Sequence, residues 1–303
     1  MQIGNEPDGF GQWSAVRPRG YDVAAFIAEW QRFYRTIRDR VPEARFAGPD
    51  IAFDTGWIGP LAKTAPDGLV MLTVHHYADG PASNPRVTLE RLMQAGGQVA
   101  PMLATMDQLG RTYHLPYRVA EANSVYGGGR PRVSDTLGAA LWTADLMFRV
   151  AAVGGAGVNF HAGEEKIYTP ISHGPRGGLV ARAPYYGMLM FAHGSDGALV
   201  PAQLDGGSAA LSAYAVRAGD GVLRISLINR DLSRASQVSV DPGQRFGQGY
   251  ALRLVGPAAD ATEVTYGGAA LDDYGGWTPA AKELAQLSGA NSSWRCRPRV
   301  RLP

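Results

Sequence analysis

The chain is 303 residues long, 45% hydrophobic and 18% charged, and its 29 Lys and Arg against 27 Asp and Glu leave a formal net charge of +2. That is enough chain to bury a sizeable core in one large or two ordinary domains, and no global field draws it to nucleic acid or to an anionic membrane surface. Cys296 is its one cysteine, which excludes an intramolecular disulfide framework and a thiolate zinc cage, and no apolar run reaches the roughly 18 residues of a membrane helix.

In chain order, a short apolar strand is expected near residues 1–5, ending where Pro7 removes a ladder donor. Asp22 then heads a helix in which Val23, Phe26, Ile27, Trp30, Phe33, Ile37 and Val41 recur at spacings of three and four, an apolar stripe one face wide with an N-cap before it. A second strand is expected at 45–51, followed by a stretch of no clear type. Leu69 to Tyr77 (LVMLTVHHY) is almost continuously apolar, as a strand buried on both faces should be. A strand at 117–122 leads through a glycine-rich loop to a helix capped by Ser134 and carrying Leu137, Leu141, Ala144 and Phe148. The last strand of this type is expected at 156–161. Five βα units in a row imply a parallel sheet, open or closed.

Near residue 196 the pattern changes to short alternating runs such as Val222 to Ile228 (VLRISLI), broken by Gly-Gly, Asp-Gly and Pro-Gly turns. An antiparallel sandwich over 197–303 is the simplest architecture for that pattern, after the βα part over 1–196. Ser292 to Pro303 (SSWRCRPRVRLP) is arginine-rich and fits neither pattern, so 292–303 reads as an anomalous basic tail.

Two carboxylates stand at strand ends, Glu6 in Asn5-Glu6-Pro7 and Glu121 at the end of YRVAE. In a βα barrel the carboxyl ends of the strands share one face, so acids from different strands can meet across a single pocket. A solvated or salt-bridged carboxylate is the ordinary alternative for each taken alone. His75, His76 and His161 invite a metal reading, but adjacent residues of a strand point to opposite faces, so only one of His75 and His76 can face a pocket. With neither cysteine neighbours nor HExxH, hydrogen bonding to the carboxylates or to a bound polar ligand is the expectation for them, and no metal or other cofactor is expected. The glycine-rich stretches lack the Lys-Ser/Thr of a phosphate loop, and Ser124 and Ser134 lack a GxSxG elbow.

Asn5-Glu6-Pro7 after a strand resembles the acid/base signature of the large clan of retaining glycoside hydrolases built on TIM barrels. Glu121-Ala-Asn-Ser-Val-Tyr126-Gly-Gly-Gly129, followed by Ser134-Asp135-Thr136 and a helix containing Trp142, resembles the nucleophile region of glycoside hydrolase family 79, that of heparanases and bacterial β-glucuronidases. Gly157-Val-Asn-Phe-His161 and Tyr168-Thr-Pro-Ile171 resemble its eighth strand and the loop after it. The resemblance covers nearly the whole chain. It implies an α/β fold, a partial TIM (β/α)8 barrel of strands four to eight followed by an all-β antiparallel sandwich. It implies a retaining double displacement on β-linked glucuronic acid, with Glu121 as nucleophile and Glu6 as acid/base. Asn5, His76, Tyr77, Tyr126, Gly128, Gly129 and Tyr168 would contact the sugar, the glycine loop and tyrosines around the uronate carboxylate. The partner is then a carbohydrate, with neither nucleic acid nor membrane.

The resemblance also places Glu6 on the fourth barrel strand, so the chain is expected to start inside the barrel, to leave two sheet edges bare, and to be poorly folded and weakly active by itself. A signal peptide, and with it a secreted or periplasmic destination, would lie upstream. Exo-β-glucuronidase action is the leading expectation, because Arg130, Arg132, Arg176 and Arg182 are the only basic residues near the site. A heparanase-like endo-β-glucuronidase and an inactive carbohydrate-binding remnant are the alternatives.

Overall fold

The computed structural model describes residues 1–12, 16–64, 67–174, 178–206, 210–244, 246–272, 274–284, 287–288 and 293–296. Two compact units emerge: Met1–Tyr77 with Gly97–Asn123 and Arg149–His161, and Ala78–Gly96 with Ser124–Phe148 and Ala162–Pro303.

The first unit is organised by a parallel sheet of four strands, β1 (Phe46–Ile51), β2 (Leu69–Asp79), β3 (Tyr117–Val125) and β4 (Val158–Phe160), lying side by side in that order. Four of the five expected strands are therefore present. The fifth, at 1–5, is not a strand: Gln2 makes only an isolated parallel bridge with Ala47. Gly4 at φ 90° and Glu6 at φ 52° turn the chain before a ladder can extend, which keeps that segment to one bridge. The stretch without clear type after Ile51 is a 3-10 turn, Thr55–Trp57, leading into the short helix Ile58–Thr64.

Helix α1 (Val23–Arg38) begins where expected, with the Asp22 carboxylate accepting from the Ala25 N–H at 2.9 Å. Its buried stripe is Phe26, Trp30 and Tyr34, spaced by four, while Phe33 and Val41 face solvent. Among the described residues of this unit, Trp30 stacks on Tyr34 with ring centroids 5.4 Å apart and meets the edge of Phe46 of β1 at 5.7 Å. Offset and edge-on aromatic pairs of this kind add about 0.5–1.5 kcal/mol beyond the area they bury, and they seat α1 on the sheet. Tyr34 joins that cluster because its phenol also reaches the Asp67 carbonyl at 2.7 Å, a partner that lets a hydroxyl be buried.

The second unit contains most of helix α5, so named after the intervening helices α2 (Ile58–Thr64), α3 (Leu89–Gln94) and α4 (Val99–Tyr113), and α6 (Ala183–Gly194). Helix α5 runs Leu137–Ala152. Its cap is not Ser134: the Ser134 hydroxyl accepts from the Arg130 N–H, and Thr136 Oγ1 accepts from the Ala139 N–H. Ser134 is spent on closing the preceding loop, so the helix starts one turn position later. All strands of this unit outside the ends of β2 and β3 pair antiparallel: β5 (Ile171–His173) with β6 (Leu179–Ala181), then β7 (Ala198–Val200), β8 (Leu211–Arg217) and β9 (Leu223–Asn229) as one three-stranded sheet. Within the basic tail, Ser293–Cys296 forms a strand between Val238–Val240 and Leu287–Ser288, while 292 and 297–303 lie outside the described residues. Tyr214 donates to Asp145 at 2.7 Å and Arg230 both pairs with Asp145 and donates to the Met93 carbonyl, so a buried charge is paired where β8 and β9 meet α5.

Candidate active site

The carboxyl end of the parallel sheet gathers six polar side chains. Glu6 sits in the left-handed region, at φ 52° and ψ 51°, heading the 3-10 turn Pro7–Gly9. Such a conformation is costly for a residue with a Cβ and persists only where its surroundings hold it. Two contacts do so here. The Glu6 N–H donates to the Asp50 carbonyl at 2.8 Å, and the Asp8 carboxylate accepts from three consecutive N–H groups, those of Ala52, Phe53 and Asp54, at 2.8–3.0 Å. The Glu-Pro-Asp turn is thereby bolted to the end of β1.

Glu121 extends from β3, and one of its oxygens and one of those of Glu6, together with a His75 ring nitrogen, lie within 4.8 Å of one another. The Tyr77 hydroxyl donates to Glu121 Oε1 at 2.8 Å and lies 2.8 Å from His161 Nδ1. Because the single phenol proton is used on Glu121, the proton between Tyr77 and His161 belongs to the imidazole, which donates to the phenol oxygen. His161 Nδ1 is also 3.3 Å from Glu121 Oε1, and the His161 carbonyl accepts from the Asn123 amide at 2.8 Å. Alternation along β2 places His75 and Tyr77 on one face, where Tyr77 reaches Glu121 and His75 reaches Glu6.

His75 is 3% exposed; its Nδ1 lies 3.0 Å from Glu6 Oε1 and 4.0 Å from Glu121 Oε2, and its Nε2 lies 3.2 Å from Asp50 Oδ1. Burial works against the imidazolium, yet the Asp50 and Glu6 carboxylates close against its two nitrogens, with the negative charge of Glu121, outweigh it and raise its pKa to about 9. The ring that meets the acids is thus His75. His76, the histidine taken from the sequence as a sugar contact, is on the other face of the strand, where burial lowers its pKa to about 4. Glu6, His75 and Glu121 have the spacing of a three-ligand metal site, at which an ion would have to displace the His75 proton.

The remaining expected residues fall in two places. Asn5 is exposed next to Glu6, in the first unit with Tyr77 and Glu121. Tyr126, Gly128, Gly129 and Tyr168 are brought together in the second. The Tyr126 ring covers Gly80, where a Cβ would come within 2.3 Å of it; the Ile167 N–H donates to the Gly128 carbonyl at 2.7 Å; and Tyr168 is buried against Gly129, where a Cβ would stand 2.9 Å from the Tyr168 nitrogen. Gly127, Gly128 and Gly129 all have positive φ, at 84°, 98° and 84°, a conformation open to glycine.

One member of the cluster escaped the sequence reading. Asp50, 4% exposed, follows Pro49 at the end of β1. His75 is among the three histidines expected to hydrogen-bond, but the sugar contact is assigned to His76, because alternation allows one histidine of the pair to face the pocket without saying which. Of the basic residues, Arg176 lies outside the described residues. Arg130 donates to the Ala82 and Asn84 carbonyls, Arg132 pairs with Asp260, and Arg182 lies 3.7 Å from Asp135.

Comparison with known proteins agrees with the resemblance seen in the motifs. The chain is 28% identical over 256 residues to a β-glucuronidase of Aspergillus niger and 30% identical over 218 residues to one of Neurospora crassa, matches that take in 75% and 62% of this chain. It spans less than half of those relatives, 47% and 38% of their lengths. Among solved structures, a 4-O-α-L-rhamnosyl-β-D-glucuronidase from Fusarium oxysporum superposes with a TM-score of 0.80 at 20% identity, over 97% of this chain and 67% of that one. A family 51 arabinofuranosidase from Xanthomonas axonopodis superposes with a TM-score of 0.67 at 18% identity, over 98% and 63%. The fold is therefore one shared with glycoside hydrolases. No family model matches the chain.

Proposed function

We propose that this chain carries the catalytic carboxylates of a retaining glycoside hydrolase acting on β-linked glucuronic acid, with Glu121 as nucleophile and Glu6 as acid/base. The observation that carries the reading is the meeting of two carboxylates, Glu6 from the opening turn and Glu121 from β3, with oxygens within 4.8 Å of each other. Retaining glycosidases hold their pair about 5–5.5 Å apart, inverting ones about 6.5–9.5 Å so that a water fits between. The parallel sheet is read as part of a (β/α)8 barrel, whose carboxyl-end face is where such acids sit.

In the first step a Glu121 oxygen attacks the anomeric carbon while Glu6 protonates the departing glycosidic oxygen. Water then attacks the glycosyl-enzyme, giving its proton to Glu6 as the bond to Glu121 breaks. Tyr77, donating to Glu121 Oε1, orients the carboxylate and leaves Oε2 for the attack. Asn5 is assigned to the hydroxyl next to the anomeric carbon, and Tyr126, Gly128, Gly129 and Tyr168 to the uronate carboxylate, for which positive-φ glycines bring backbone close. Exo action is favoured over endo cleavage of a sulfated polymer because Arg130, Arg132 and Arg182 already have partners, which leaves them poorly suited to form a strip for sulfates.

The test is trapping with a 2-deoxy-2-fluoro-β-glucuronyl fluoride followed by peptide mass analysis. A stable adduct on Glu121 is the expected result. An adduct on another residue, or an α-anomer as first product from an ordinary aryl β-glucuronide, would overturn the assignment.

A further inference from the structure

An acid beside an imidazolium poses a problem of proton supply, and the cluster around His75 answers it. Glu6 must deliver a proton to a leaving oxygen, yet the group against its carboxylate at 3.0 Å is a histidine ring, not an apolar wall that would keep the acid neutral by desolvation. Asp50 touches both partners: its carbonyl accepts from the Glu6 N–H at 2.8 Å, and its carboxylate lies 3.2 Å from His75 Nε2. Asp50 is itself held in the left-handed region at φ 63°, with its N–H on Thr73 Oγ1 at 3.0 Å. Strain of this kind, kept in a buried residue, calls for a reason.

We propose that Asp50 and His75 form a proton reservoir for Glu6, His75 holding at Nδ1 the proton that Glu6 delivers and Asp50 holding His75 in place to do so. The assignment rests on the reading of Glu6 as acid/base. In the first step the Nδ1 proton passes to Glu6 and the Glu6 proton passes to the glycosidic oxygen, as the bond from that oxygen to the anomeric carbon breaks and one to Glu121 forms. His75 is then neutral, with its remaining proton on Nε2 toward Asp50, and Glu6 is a carboxylate. In the second step the attacking water gives one proton to Glu6 and onward to Nδ1, its oxygen bonds to the anomeric carbon, and the bond to Glu121 breaks. The proton count returns to its starting value, and nothing is oxidised or reduced.

The groups facing His75 are anionic from each element that presents an ionisable side chain to it: Asp50 from β1, Glu6 from the opening turn and, at 4.0 Å, Glu121 from β3. Thr73, two residues before it on β2, is neutral and occupied with the Asp50 N–H. The reservoir is therefore loaded at neutral pH, consistent with a pKa near 9. His75 acts through Glu6 and is a positioning residue.

The experiment follows ring-nitrogen signals of the whole chain labelled with 15N-histidine across pH 5 to 10, with His75→Gln identifying the signal. Both His75 nitrogens should stay protonated well above the ordinary imidazole range, and loss of the proton should occur first at Nδ1. Asp50→Asn should lower that midpoint by at least about one pH unit, a tenfold change in proton affinity. Should Asp50→Asn fail to fold, Glu6→Gln serves in its place and should also lower it. An ordinary midpoint near 6.5 in the wild-type chain, or first deprotonation at Nε2, overturns the reservoir. Kinetically, His75→Gln should lose roughly 10²-fold on alkyl β-glucuronides, whose leaving groups need the acid, and far less on 4-nitrophenyl β-glucuronide; equal losses on both overturn it. If no β-glucuronide is cleaved by the wild-type chain, the functional reading fails while the titration still decides the reservoir.

Discussion

The carboxylate cluster of the first unit and the glycine loop of the second reach order by opposite means. Around His75 the side chains hold one another, with Glu6, Asp50, Tyr77, Glu121 and His161 each within hydrogen-bond or ion-pair distance of another member. Around Tyr126 and Tyr168 the backbone does the shaping, since Gly80 and Gly129 stand where a Cβ would strike the Tyr126 ring or the Tyr168 main chain. Under the proposed function, proton chemistry draws on groups whose charges are felt by their neighbours, whereas recognition of a fixed anion draws on close approach of backbone and phenol. Substitutions should therefore act on chemistry in the first region and on binding or stability in the second.

The largest effect expected is that of Glu121→Ala, which should abolish turnover of aryl β-glucuronides at every leaving group while leaving the melting temperature close to that of the parent, read by steady-state assay beside calorimetry. Glu6→Ala should cost roughly 10²–10⁴-fold on poor leaving groups, spare activated aryl glucuronides, and yield a β-glucuronyl azide when azide is added. An α-azide would break the retaining assignment. In the second region, Tyr126→Phe and Tyr168→Phe should each lose about 1.5–3 kcal/mol of binding to a charged carboxylate, seen as a far larger drop on glucuronides than on the matching glucosides. Gly129→Ala combines positive φ with a close approach to Tyr168 and should destabilise by about 1–3 kcal/mol, measured as a fall in denaturation midpoint.

The smallest effect is a pH dependence of stability that sets His75 against His76. A histidine whose folded pKa is raised to about 9 contributes stability that is complete below about 6.5 and lost as pH climbs through 9. His76, lowered to about 4 by burial, does the reverse: its contribution is present above about 6.5 and lost as pH falls toward 4. Melting curves should decline on both sides of the neutral range, with His75→Gln flattening the alkaline decline alone and His76→Gln the acid one. A single substitution that flattened both would show that the two faces of β2 are not independent.

Local rules made much of this legible. The run from Leu69 to Tyr77 is apolar enough to announce a buried strand, and Asp22 does cap α1 with its carboxylate on the Ala25 N–H. The glycines from Gly127 on mark the end of β3, which runs past Glu121 to Val125, whereas Pro7 follows a turn and not a strand. Other features were set by packing. The α1 stripe takes in Tyr34 and leaves Phe33 in solvent, because a three-residue step and a four-residue step are equally open to a helix until the sheet beneath it selects one. Thr136 and not Ser134 serves α5, since the Ser134 hydroxyl is claimed by a loop contact to Arg130.

By itself the sequence determined that only one of two adjacent histidines can turn toward Glu6 and Glu121, for a strand alternates its side chains. Only the tertiary structure decided that it is His75. The choice depends on which face of β2 the sheet presents to the opening turn and to the end of β1, and on Asp50, a residue 25 positions away in the chain, standing where it can stabilise a buried imidazolium. A pattern of period two fixes the relation between neighbours; the absolute orientation comes from long-range pairing, which no local window contains.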